Sequence, residues 1–220
     1  MLTNELINNS LPYLSLTDTI SNALVLTSDF KLKNIPVVNK NIFLGLISEN
    51  DLLDAPDENL LIQTLQSSLR FLHVKNTDHF LTAVSLASQA DIEIIPVINP
   101  GNEYLGSIST TDLLKELSTF NGSNDLGSII VFEIDRVHFS ISEISRLVES
   151  NDSTILHLNT QANPVTNQLT VTIHINNQDS SSVVATFERY NYNIIYFNGS
   201  EDLENKIQDN YHHLMNYLAI

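Results

Sequence analysis

The chain has 220 residues, and 26 Asp and Glu against 10 Lys and Arg give it a formal net charge of -16. A charge of that sign excludes a general nucleic-acid binder, which needs basic groups to displace counterions from phosphates, and it argues against docking on an anionic membrane. Hydrophobic residues at 42% suffice for a sizeable core, and the lack of cysteine excludes a disulfide framework, a thiolate metal site and a cysteine nucleophile.

The first residues, Met1-Leu2-Thr3-Asn4-Glu5, lack the basic and apolar runs of a signal peptide. No apolar stretch approaches the roughly 20 residues that span a bilayer. A cytoplasmic protein is expected. Ile20, Ala23, Leu24 and Leu26 recur at helical spacing. A β-branched run from Ile35 to Val38, with Pro36 near its start, predicts a strand. The polar turn Asn39-Lys40-Asn41 leads into a second strand, Ile42 to Ile47, interrupted by Gly45. A helix is expected to open at Ser48 and run through Leu52-Leu53.

The same order then returns. Phe80, Ala83, Val84 and Ala87 predict a helix, Ile94 to Ile98 a strand, Asn99-Pro100-Gly101-Asn102 a turn, and Tyr104 to Ile108 a strand broken by Gly106. Ser109 opens the second copy's last helix. Thr17-Asp18, Ala23 and Ile35-Pro36-Val37 match Thr77-Asp78, Ala83 and Ile95-Pro96-Val97 at a fixed offset, and Gly45, Ser48 and Asp51 match Gly106, Ser109 and Asp112.

The run Ile-Pro-Val followed by Gly-x-Ile-Ser-x-x-Asp-Leu-Leu, duplicated in this way, resembles a tandem pair of CBS domains. The pair would occupy residues 1–122, with repeats at about 10–56 and 70–118. The resemblance implies a β-α-β-β-α fold for each repeat, clefts that take AMP, ADP, ATP or S-adenosylmethionine, pairing into dimers, and a regulatory role. It also implies that Ile35 and Ile95 help to line an adenine pocket.

The residues themselves admit two readings. A helix N-terminus favours a phosphate, Ser48 and Ser109 add a hydroxyl donor, Asp51 and Asp112 can accept from both hydroxyls of a ribose, and Gly45 and Gly106 allow close backbone approach. Equally, Ser-Glu-Asn-Asp and Ser-Thr-Thr-Asp each fit a capping box that stabilises a helix and binds nothing. Basic residues near the clefts are few: Lys31, Lys33, Arg70 and Lys75, with Glu93 standing where Lys33 stands in the first copy. Unequal clefts are expected, better suited to a monophosphate than to a triphosphate.

After the polar linker Asn121-Gly122-Ser123-Asn124-Asp125 the pattern changes. Strands are predicted at Ser128 to Ile134, Thr154 to Gln161, Gln168 to Ile175 and Tyr192 to Phe197. On the second of these, Leu156 and Leu158 are expected to share one face. Helices are predicted around Ile141 to Val148 and Val183 to Tyr190. The order β-α-β-β-α-β is the ferredoxin-like split motif. With Glu133-Ile134-Asp135-Arg136 leading into the helix, residues 126–200 resemble an ACT domain. The whole then resembles the acetoin-utilisation type of CBS protein. The resemblance implies amino-acid binding at a glycine-containing turn. Val137-His138-Phe139 holds no glycine, which favours folding and dimerisation instead. Leu203, Ile207, Tyr211, Leu214 and Leu218 place a packing helix at 201–220.

His157 and His174 fall on neighbouring strands without a predicted carboxylate partner, so no metal is expected there. No nucleophile elbow, Walker loop or His-Glu-x-x-His motif occurs, and no catalytic residues are assigned. The expected fold class is α/β (α+β). The expected function is regulatory sensing of an adenine nucleotide by a non-enzymatic homodimer that acts on a protein target. The alternatives are a structural module with empty clefts and an amino-acid sensor acting through the second domain.

Overall fold

The computed structural model describes residues 1–198. They form two compact units that divide after Leu117. The expected helix at 201–220 lies outside the described residues.

The first unit repeats one motif. Strand β1 (Leu14–Ser15) is followed by α1 (Ile20–Phe30), β2 (Asn34–Asn39), β3 (Ile42–Ser48) and α2 (Glu49–Leu53). The second copy runs β4 (Val74–Lys75), α3 (Phe80–Ala90), β5 (Ile94–Ile98), β6 (Tyr104–Ser109) and α4 (Thr110–Phe120), the last helix continuing past the division between the units. Each copy has a three-stranded sheet, β1-β2-β3 or β4-β5-β6, whose middle strand pairs parallel with the first and antiparallel with the third.

The middle strands are β-branched because both of their faces are covered; Ile35, Val37, Ile95 and Val97 are fully buried. Each helix starts on a side-chain cap, Thr19 accepting from Asn22 N at 3.2 Å and His79 Nδ1 from Leu81 N at 3.4 Å. Both helices end on a left-handed residue at the same place in the copy, Lys31 and Asp91. α2 stops after five residues, ahead of Pro56, which disfavours helical geometry before it, whereas α4 runs for eleven.

The two copies interlock at their hairpin tips. Phe43 N donates to Asn102 O at 3.0 Å, and Tyr104 N donates to Asn41 O at 2.7 Å. These are equivalent residues, so the bonds are reciprocal. One core, including Leu14, Ile20, Phe43, Ile62, Phe80 and Ile108, spans both copies.

The second unit contains β7 (Ser128–Asp135), α5 (Ile141–Glu149), β8 (Ile155–Ala162), β9 (Gln168–Ile175), α6 (Ser181–Arg189) and β10 (Asn193–Phe197). Its antiparallel sheet has the order β10-β7-β9-β8, which is ferredoxin-like. Both helices bury their apolar stripes, Ile144, Leu147 and Val148 on one and Val183, Val184 and Phe187 on the other, with Phe132, Val171 and Ile173 of the sheet. On β8 the expected pairing of Leu156 with Leu158 is corrected. Ile155 pairs with Ile175 and His157 with His174, so Leu156 is the extra residue of a bulge. Ile155 and Leu158 pack against the core, and Leu156 is exposed.

Candidate functional site

Strand β3 ends at Ser48, which is also the N-cap of α2. Its Oγ accepts from Asp51 N at 3.1 Å, while its backbone N–H donates to Asp51 Oδ2 at 3.3 Å and its hydroxyl donates to the same oxygen. In the second copy Ser109 Oγ accepts from Asp112 N at 3.0 Å and donates to Asp112 Oδ2 at 2.7 Å. Both Ser-x-x-Asp motifs therefore form the local bonds of a helix cap, each worth about 1 kcal/mol. A helix as short as α2 also has little dipole to offer an anion, so the first cleft needs other donors.

Gly45 and Gly106 sit at a strand bulge with φ of 151° and 140°. What approaches them is the chain itself. A Cβ on Gly45 would stand 2.9 Å from Leu69 Cβ and 3.0 Å from Arg70 O, and one on Gly106 would meet Ile7 Cγ2 and lie 3.1 Å from Asn9 Oδ1. The closeness expected toward a ligand is thus taken up by residues 69–70 and 7–9. The side chains of Ile35 and Ile95 are likewise wholly within the core, which leaves only their backbone for any ligand contact.

These crossing segments distinguish the two copies. Arg70 N and O bond with Leu46 O and N at 2.9 and 2.8 Å, and Asn8 N bonds with Ser107 O at 2.8 Å, Ser107 being the counterpart of Leu46. At the first cleft Arg70 Nη2 donates to Asn34 Oδ1 at 2.6 Å. At the second, Asn8 Nδ2 lies 3.5 Å from Asp112 Oδ2, and the counterpart of Asn34 is Ile94. Asp112 Oδ1 is taken by Lys115 Nζ at 3.3 Å. The Ser109 hydroxyl, helped by Asn8 and Lys115, holds the Asp112 carboxyl below its ordinary range despite partial desolvation.

Beside the first cap is a cavity of about 520 Å³, lined by Lys33, Asn34, Ser48, Asp51, Arg70 and Asp91 among others. Lys33 Nζ pairs with Glu93 at 3.3 Å and Asp91 at 3.6 Å, and these partners raise its pKa, the Glu93 hydrogen bond most. Sequence reasoning placed Lys33 and Glu93 at matching positions but did not pair them. It also missed Asn34 and Asn8. A signal existed for Asn34, the one polar residue opening an otherwise apolar buried strand where the second copy has Ile94.

In the second unit the turn after β7 is a short 3-10 segment, Arg136–His138. His157 and His174 pair across β8 and β9 with ring centroids 6.4 Å apart. Among the described residues no group of three or more His, Cys, Asp or Glu is placed to hold a metal. No described helix is long and apolar enough to cross a membrane.

Residues 4–58 match the family model of the CBS domain. The chain is similar to a CBS domain pair/ACT domain protein from Thermotoga maritima, with 19% identity over 55% of this chain and 98% of that one and a TM-score of 0.50. It is also similar to the CBS domains of a transcriptional regulator from Streptococcus pneumoniae, with 20% identity over 52% and 98% and a TM-score of 0.47. A third likeness, to CBSX2 in complex with AMP, has 17% identity over 54% and 97% and a TM-score of 0.43. The family match and the first likeness establish the fold of a CBS domain pair, with a further α+β unit following it.

Proposed function

We propose that the CBS pair binds an adenine nucleotide, AMP in preference to ADP or ATP, in the cleft beside Arg70, and that the protein is regulatory and not catalytic. The observation that carries this reading is the pairing of an open cavity of about 520 Å³ with an arginine at its wall. A guanidinium is the side chain best matched to phosphate oxygens. Both capping bonds to Asp51 fall on Oδ2, which leaves Oδ1 for a ribose hydroxyl. One phosphate suits one guanidinium, because Lys33 is already engaged by two carboxylates. At the second cleft both carboxylate oxygens of Asp112 are already engaged, by Ser109, Asn8 and Lys115, which leaves neither for a ribose. The ACT-like unit then couples occupancy to homodimerisation or to a protein target, which requires the nucleotide to prefer one arrangement of the protein.

One observation favours the structural-module reading. Ser48 and Ser109 are both spent on helix caps. Titration calorimetry and thermal shift with AMP, ADP, ATP, S-adenosylmethionine and amino acids separate the readings. Stabilisation by AMP that disappears in Arg70→Ala and Asp51→Ala supports nucleotide sensing. No response to any nucleotide at millimolar levels overturns it, and a response to an amino acid alone moves the function to the ACT-like unit. Light scattering with and without AMP tests the homodimer.

A further inference from the structure

The sheet of the second unit buries one face under α5 and α6, and its other face carries polar side chains. His157 pairs with His174 and Asn159 with Thr172 across β8 and β9, and Ile129 of β7 pairs with His174 on the far side. The imidazoles are stacked, with an interplanar angle of 22°. His174 is only 9% exposed. Among the described residues neither imidazole, nor Asp125, Asn159 or Thr172, has a side-chain hydrogen-bond partner. Of these His174 is the buried one, and a polar side chain at that depth is normally satisfied.

Residues 121–127 roof this face. A Cβ on Gly122 would lie 2.6 Å from His157 Nε2 and 2.8 Å from Asp125 Oδ2, and one on Gly127 would lie 2.7 Å from His174 Nε2. The glycines thus bring the roof against both imidazole edges without filling the space between. What remains is a cavity of about 340 Å³, to which Asn121 and Asn198 add amides. Small-molecule sites begin at about 300 Å³.

The chemistry narrows the occupant. The lining holds no Lys or Arg and one carboxylate, and residues 121–220 carry 12 acidic against 4 basic residues, so a free anion would bind against the local field. The donor set for a metal is lacking among the described residues. Amides, a carboxylate and imidazoles accept and donate in pairs, as vicinal hydroxyls require, and Ile129 offers an apolar wall to a C–H face. We propose that this cavity binds a small neutral polyhydroxyl compound, a sugar or cyclic polyol, held between the His157 and His174 pair and Asp125.

The site is independent of the nucleotide cleft and is tested separately. The histidine C2–H resonances of the full chain are followed while D-ribose, D-glucose or myo-inositol is added to millimolar levels, with phosphate and zinc in parallel. The expected result is a saturable shift of the His157 and His174 signals with at least one polyol. Asn159→Ala, at an exposed strand position, weakens that response by roughly tenfold at an unchanged melting temperature. The proposal fails if no polyol moves these signals, if only phosphate or zinc does, or if the response persists in both Asn159→Ala and Asp125→Asn.

Discussion

Arg70 and Asn8 hold the same place in the two copies of the repeat, each backbone paired to the third strand of a sheet, and they give the two clefts opposite characters. The arginine reaches Asn34, which is 3% exposed, while the asparagine reaches the carboxylate that a ribose would need. One AMP per chain is therefore expected by calorimetry. Arg70→Ala should lower AMP affinity by about 10- to 100-fold, the worth of a charge-assisted hydrogen bond. Asn8→Ala should leave the first cleft unchanged. Transplanting the pair, by Asn8→Arg with Ile94→Asn, should raise the stoichiometry toward two.

In the proposed nucleotide cleft Glu93 would compete with a ligand phosphate for Lys33. In Glu93→Gln the lysine keeps only Asp91, and affinity for ADP and ATP should rise roughly threefold, as expected from removing a nearby negative charge. The gain should shrink as salt is added. The melting temperature should move little, since the glutamine keeps an acceptor for Lys33 N–H and the Lys33 end of the ion pair is solvated.

Gly45→Ala should destabilise the fold by about 1–3 kcal/mol, because the new Cβ meets backbone at a φ that other residues rarely adopt. Gly106→Ala should cost at least as much, since its φ is similarly unfavourable and the new Cβ meets Ile7 Cγ2 more closely still, on a core-packed β-branched side chain that is stiff at χ1. Urea denaturation of the two variants measures the difference.

Asp112 gives a pH signature. Its folded pKa lies below the unfolded one, so its contribution is present above the ordinary carboxylate value of about 3.9 and is lost as pH falls through the folded value. Asp112→Ala should cost about 1 kcal/mol at neutral pH, as loss of half a capping box does. The gap between variant and parent should close as the pH drops below about 4. A gap that persists at pH 2 would show that the carboxylate is not the source.

The repeat was legible because its punctuation is chemical. Pro36 and Pro96, the two interrupting glycines and the Ser-x-x-Asp caps mark positions where few residues fit, so β5 was bounded at the residue and the repeat's other longer elements nearly so; β9, outside the repeat, was bounded by its clean apolar alternation. β1 and β4, with two residues each, are too short to show a period. Leu156 broke the alternation rule because a bulge shifts the side-chain phase, and no residue type announces a bulge. The site was read only in part. Ser48 and Asp51 were visible, but the Arg70–Asn34 bond joins residues 36 apart, a contact that only the folded chain makes.

The crossed bonds between the hairpin tips mean that neither copy is complete alone. A fragment holding only residues 1–68 keeps Phe43 N and Asn41 O but loses both of their partners, and it loses the core contributed by Phe80, Ile95 and Ile108. Its cheapest remedy is a second identical fragment, whose own tip offers the same donor and acceptor in mirrored roles. The tandem chain then amounts to a dimer closed by covalent linkage, in which the freedom to let one half differ from the other has put the arginine on one side only.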